Sequence, residues 1–209
     1  MQALIGRKIG MTRVYDDAGV QVPVTVVQVG PCTVIQRKGA KPDGYEALQL
    51  GFGEQKESRL TKPAQGHFKK AGAKPAQVVR EVRVTADEAA QAGDVLTAKI
   101  FEGVKYVDVL GHTKGRGFQG VVRRFRFGGG RASHGGGWQR KPGAVGKRDG
   151  PGRSVANGGL RGHKREEDIT TQNLRVVKVL PDDNALLLEG AVPGPAGGIV
   201  LVRKAIKKA

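Results

Sequence analysis

The sequence predicts a mainly β protein: an antiparallel β-barrel with a small α/β insertion and a long, irregular Gly/Arg-rich central extension. Three observations lead there. Short β-type runs separated by turn residues fill both ends of the 209-residue chain. Neither end has strands enough for a core of its own, so the two are expected to close together. Between them, residues 111–165 hold fourteen Lys or Arg residues against one acid, Asp149, and 17 of the 33 glycines.

The elements follow in chain order. From Ala3 to Gly53 the runs are "MTRVYDD", "VPVTVVQV", "CTVIQRK" and, after a Pro42-Asp43-Gly44 turn, "YEALQLGF". Next, "TKPAQGHFKKAGAKPAQVVREVRV" brackets a short helix between Pro63 and Pro75 and continues into a strand-like "VVREVRV". "TADEAAQAGD" reads as a turn or short helix, followed by "DVLTAKIFEG" and "KYVDVL". Beyond the basic segment come "NLRVVKVL", the turn residues Asp182, Asp183 and Asn184, then "ALLLEG" and "GIVLVRKAI". Residues 1–110 with 166–209 are therefore expected to form the barrel, carrying the α/β insertion at about 54–93, with Val26 among its core residues. Residues 111–165 are expected to leave it as a separate extension. No internal repeat is apparent.

The formal net charge is +17. The basic segment supplies +13 of it and the rest of the chain only +4, so a polyanion is the expected partner. No run approaches the roughly 18 to 20 apolar residues of a membrane-spanning helix, and "MQALIGRKIGMT" lacks the apolar stretch of a signal peptide. A cytoplasmic protein without a membrane partner is expected. Cys32 is the single cysteine, which excludes an intramolecular disulfide and a cysteine-based zinc site and leaves it a small core residue.

Catalytic chemistry finds no footing. "GRGFQG", Gly115 to Gly120, has the letters of a dinucleotide fingerprint, but no acid follows before Asp149 and the residues due to form its helix run into "GGG". "GHTKGRG" lacks the Gly-Lys-Ser/Thr that closes a P-loop. His67, His112, His134 and His163 have no ligand spacing, so no metal is expected. Ser133 and His134 are neighbours that would point to opposite faces of an extended strand. Glu166, Glu167 and Asp168 read as a solvated turn at the return to the barrel. No enzyme, cofactor or small-molecule substrate is implied.

The basic segment does suit folded RNA. Arginine forks pair with phosphates and stack on bases. Phe118, Phe125, Phe127 and Trp138 can stack on unpaired bases, and glycine lets the main chain approach closely. Going out and back, the segment would reach at most roughly 90 Å at about 3.3 Å per residue. Few aliphatic residues oppose its ordering entropy, so it is expected to be mobile until RNA neutralises it.

At these residues the chain resembles the bacterial large-subunit ribosomal proteins of the L-three family, over essentially its whole length. "LIGRKIGMTRVYDDAGVQVPVTVV", "KPAQGHFKKAG" and "AVPGPAGGIVLVR" are similar to family segments. The family signature is matched in "FEGVKYVDVLGHTKGRGFQGVVRR" by Phe101, Asp108, Gly111, Thr113, Gly115, Arg116, Gly117, Gly120 and Arg124. The motif begins at residue 4, which argues against an organellar form with a transit peptide.

The resemblance implies a surface barrel and a central extension threading 23S rRNA toward the peptidyl transferase centre. It also implies direct rRNA binding early in subunit assembly, with proteins of the L-fourteen and L-nineteen families as neighbours. Carried over by position, Lys114, Arg116, Arg123 and Arg124 would begin the rRNA contacts. Trp138, Arg140, Lys141, Gly146, Lys147 and Arg148 would lie at or near the tip. Arg126, Arg131, His134, Arg153, Arg161 and Lys164 complete the candidate contacts, and Gly115, Gly117, Gly120 and Gly146 are the candidate points of close backbone approach. At the tip, "AVGKRDGPG" departs from the family pattern. Lys147 stands where relatives often have glutamine, and Asp149 where some carry a glutamine that can be methylated. Two other readings predict different behaviour: a free RNA chaperone would bind RNA without regard to sequence, and a nucleotide-dependent enzyme would bind a dinucleotide saturably.

Overall fold

The computed structural model describes residues 3–85, 89–150, 152–154 and 158–208. The chain groups into two compact units, one made of the residues up to 112 and from 168 onward, the other of residues 113–167.

In chain order the first unit contains β1 (Ala3–Tyr15), β2 (Gln21–Val29), β3 (Cys32–Lys38), the one-turn helix α1 (Ala40–Asp43), β4 (Ala47–Glu54), α2 (Lys62–Ala71), β5 (Ala76–Arg83), β6 (Val95–Leu96) and β7 (Tyr106–His112). The second unit holds β8 (Gly117–Gln119), α3 (Val121–Phe125) and β9 (Gly162–Lys164). The chain then returns through β10 (Asp168–Leu180), β11 (Ala185–Glu189) and β12 (Ile199–Lys204).

Six strands close an antiparallel barrel in the order β1-β12-β7-β10-β11-β2. Three come from each side of the basic segment, so neither flank folds this core alone. Closure removes the exposed sheet edges that a six-stranded open sheet would leave. Leu4, Val27, Val29, Val107, Val109, Leu186, Leu188 and Val202 are fully buried inside it. Each such side chain contributes about 1.5–3 kcal/mol through burial. Gly6 faces a tight point of the wall, where a Cβ would stand 2.5 Å from the Gln28 carbonyl oxygen. Val26 departs from the expected core assignment and is only half-buried. Strand alternation turns Val27 and Val29 to the core and Val26 to the other face.

β3 and β4 also differ from expectation. They pair with each other and with β6 and β5 in a separate four-stranded sheet of order β5-β4-β3-β6, so the part that carries α2 takes in residues 32–96. Their alternating pattern marks them as strands but does not choose their partners. Val34, Leu48, Leu50, Phe52 and Val82 of this sheet join the barrel residues in one core. Phe101, fully buried, comes from a short 3-10 turn, Ala98–Phe101, within the segment "DVLTAKIFEG". Of the stretch read as a turn or short helix, residues 86–88 lie outside the described residues, and 92–93 form a turn.

α2 follows its sequence signals closely. Thr61 precedes it, Pro63 stands in its first turn, and Gly72 ends it with φ +63°. The Gly72 and Ala73 amides then donate to the Lys69 and Phe68 carbonyls. Phe68 is the side chain it buries. Gly66 stands mid-helix, where glycine costs about 1 kcal/mol relative to alanine.

The barrel end at which β7 finishes and β10 starts is fixed by polar contacts. Asp168, expected in a solvated turn, is instead the first residue of β10 and pairs in register with His112, the last of β7. Its Oδ1 lies 2.9 Å from His112 Nδ1. The basic segment thus leaves and re-enters on neighbouring antiparallel strands. Further along, the β10 register shifts between Thr171 and Leu174. There the Asn173 amide donates to buried Asp108 at 2.9 Å, while Arg203 pairs with the other Asp108 oxygen at 3.3 Å.

Candidate nucleic-acid interface

Within residues 113–167 the outgoing and returning passes of chain run antiparallel. Thr113 and Arg116 donate their amides to the carbonyls of Glu167 and Lys164, and β8 pairs with β9 from Gly117↔Lys164 to Gln119↔Gly162. Phe118 meets His163 edge to face at 5.5 Å. Beyond this stem a five-residue helix, α3, turns on Val121. Val121 is the single buried residue among the described residues of the unit, so hydrophobic burial here is minor beside that of the barrel. Fourteen cations stand on this unit with three carboxylates, Asp149, Glu166 and Glu167.

The structure separates the candidate residues by their surroundings. Lys114, Arg116, Arg123, Arg126, Arg131, His134, Arg140, Lys141, Lys147, Arg148, Arg153 and Arg161 are exposed. Arg124 and Lys164 are partly buried and engaged within the unit. Arg124 donates from Nη1 to the Leu160 carbonyl at 2.8 Å and lies 4.9 Å from the Phe125 ring centre, and its guanidinium occupies the space that a side chain at Gly162 would need. Lys164 reaches the Arg123 carbonyl at 3.5 Å. Arg124 therefore ties the outgoing chain to the returning one.

Glycines and aromatic rings shape the surface between these cations. Phe125 and Phe127 lie 6.3 Å apart and pack over Gly159, where a Cβ would come within 2.8 Å of the Phe125 ring. The Gly130 and Lys141 amides both donate to the Trp138 carbonyl at 3.2 Å, bringing two passes of backbone together. Trp138 itself stays 60% exposed, with the Lys141 ammonium 4.7 Å from its ring. A hollow of ≈ 320 Å³ opens between Phe127, Gly128–Gly130, Trp138 and Lys141.

The four candidate glycines also divide. At Gly117, with φ +65°, and at Gly120, a Cβ would meet nothing within 4 Å, so an outside group can approach them closely. Gly115 and Gly146 have internal reasons to be glycine. A Cβ at Gly115 would stand 3.0 Å from Glu166, and one at Gly146 2.9 Å from the Arg153 carbonyl oxygen, beside its bridge to Ser154. Lys147 follows the bridging Gly146 directly, and Arg148 and Asp149 stand in the bend beyond it.

No group of three or more potential metal ligands occurs among the described residues. Nor does any helix among them have the length and apolarity to cross a membrane. "GRGFQG" forms a short strand and the lead into a five-residue helix, not the βαβ unit that holds a dinucleotide.

A closed antiparallel barrel joined to a unit that gathers the positive charge and, among the described residues, buries Val121 alone defines a class, the strongly basic mainly-β proteins. Comparison with known proteins narrows it. The family model described as "Ribosomal protein L3" matches residues 54–185. The "Large ribosomal subunit protein uL3" of Pelotomaculum thermopropionicum is 48% identical over 206 residues, 99% of this chain and 98% of that protein. The proteins of the same name from Heliobacterium modesticaldum and Geobacter sulfurreducens are 46% and 44% identical over equal spans of the chain. The chain belongs to the ribosomal protein L3 family.

Proposed function

We propose that this chain is a structural constituent of the large ribosomal subunit that binds 23S rRNA directly and early in assembly. Residues 113–167 are the RNA-contacting segment, reaching toward the peptidyl transferase centre. The observation that carries this reading is the pairing of twelve exposed candidate side chains, eleven of them Lys or Arg, with a single buried residue among the described residues of the same unit. Such a unit gains its stability from charge neutralisation rather than from a core. Lys114, Arg116 and Arg123 begin the phosphate contacts. Arg140, Lys141, Lys147 and Arg148 serve the far end, with Trp138 stacking on an unpaired base. The protein has no catalytic role and works in the cytoplasm beside proteins of the L-fourteen and L-nineteen families.

Competition binding tests this. The purified full-length chain should hold a 23S rRNA transcript against an excess of unrelated RNA at moderate salt. Equal displacement by any RNA would identify a sequence-indifferent RNA chaperone instead.

A further inference from the structure

Residues 56–74 hold six cations, Lys56, Arg59, Lys62, Lys69, Lys70 and Lys74, against one acid, Glu57. The chain outside 111–165 carries +4, and this stretch alone carries +5, so the remainder is −1. The unit of residues up to 112 and from 168 onward carries +6, and this one short stretch holds +5 of it. All six side chains are exposed, and among the described residues none forms an ion pair. Gln65 makes the stretch one piece by donating from Nε2 to the Glu57 and Leu60 carbonyls, at 2.8 and 3.1 Å, which pins the 57–59 turn to α2.

Gly66 supplies a second, independent observation. Lys62, Gly66 and Lys69 follow one another at i, i+4 and i+7, so they share a stripe, and all three are exposed. A Cβ at Gly66 would meet nothing within 4 Å, and its φ lies outside the left-handed region. Neither internal packing nor a turn requires glycine at this place, in a helix interior that disfavours it. What glycine does provide is bare helix backbone between two lysines.

We propose that Lys62, Gly66 and Lys69, flanked by Lys56, Arg59, Lys70 and Lys74, form a second RNA-binding face that receives a sugar–phosphate backbone. The lysines neutralise phosphates, and Gly66 admits the ribose edge to the helix surface. RNA fits better than a membrane or an acidic protein because none of the large exposed apolar side chains of the described residues falls within 56–74. A membrane surface or a protein interface would need such anchors. The inference rests on the RNA reading above and adds a contact outside residues 113–167.

The test measures binding of the full-length chain to a 23S rRNA transcript across a salt series, with thermal midpoints recorded for each variant. Gly66→Gln keeps every charge and improves the helix, so its thermal midpoint should rise while its affinity falls several-fold. Lys62→Ala with Lys69→Ala should lower the log-log salt slope by about 1.4 to 1.8. A stabilised Gly66→Gln protein with unchanged affinity, together with an unchanged slope for the lysine pair, would overturn the proposal. So would variants that lose binding only to vesicles containing phosphatidylserine. Lys114→Ala with Arg116→Ala, measured in parallel, separates the two failures. If that pair weakens binding and the α2 variants do not, only the second face fails; if the unsubstituted chain shows no preference for 23S rRNA, the underlying function fails.

Discussion

Arg124 donates to the Leu160 carbonyl and lies against Phe125, whereas Lys114 and Arg116 stand exposed on the same unit. Their substitutions should divide accordingly. Lys114→Ala and Arg116→Ala should each weaken 23S rRNA binding, lower the salt slope by roughly 0.7 to 0.9, and leave the structure of the free protein unchanged. Arg124→Ala should instead loosen residues 113–167, seen as faster amide hydrogen exchange at Leu160 to Lys164. Cys32 gives a second residue-scale prediction. It is fully buried, and that burial pushes its thiol up from 9.0 to about 11. It should resist a thiol reagent at neutral pH until the protein is unfolded, because the thiolate is the reactive form. Its contribution to stability is fully present below about pH 9 and is lost as pH rises toward about 11, since the unfolded chain ionises first. The denaturant midpoint of the unsubstituted protein should therefore fall across that window relative to Cys32→Ala; parallel curves would refute it.

At the scale of elements, the barrel and residues 113–167 should answer differently to truncation. Leu186→Ala removes a fully buried core side chain and should cost about 2–5 kcal/mol. That lowers the thermal midpoint by roughly 4–20 °C for a domain of this size. Trp138→Ala should leave the midpoint unchanged, because Trp138 is mostly exposed. Calorimetry of the two variants checks both, and equal losses would show Trp138 packed into the core. Most elements could be read from local signals. α2 carries Pro63 in its first turn and ends ahead of Pro75, and the hairpin of β10 and β11 turns on Asp182, Asp183 and Asn184 as its turn residues require. Partner choice was not legible, because β3 and β4 carry the same alternation as the barrel strands. Likewise the sequence marks Arg124 and Arg116 alike as basic residues, and the Leu160 carbonyl and the Phe125 ring distinguish them only in the folded unit.

For the molecule as a whole, charge and core are segregated. The unit of residues up to 112 and from 168 onward holds nearly all the buried apolar residues, while residues 113–167 hold fourteen of the 36 cations. That division was visible from composition alone, whereas the basic stretch at 56–74 was not, because its cations are interleaved with apolar and turn residues and align only once α2 is formed. The proposed function stands or falls on whether residues 113–167 bind one rRNA region within the large subunit. Crosslinking in intact cells decides it, with sequencing of the attached RNA and sedimentation of the protein across a gradient. Crosslinks concentrated in 23S rRNA at residues 113–167, with stoichiometric migration in the large subunit, are the expected result. Crosslinks spread over many RNAs, with the protein at the top of the gradient, would contradict it.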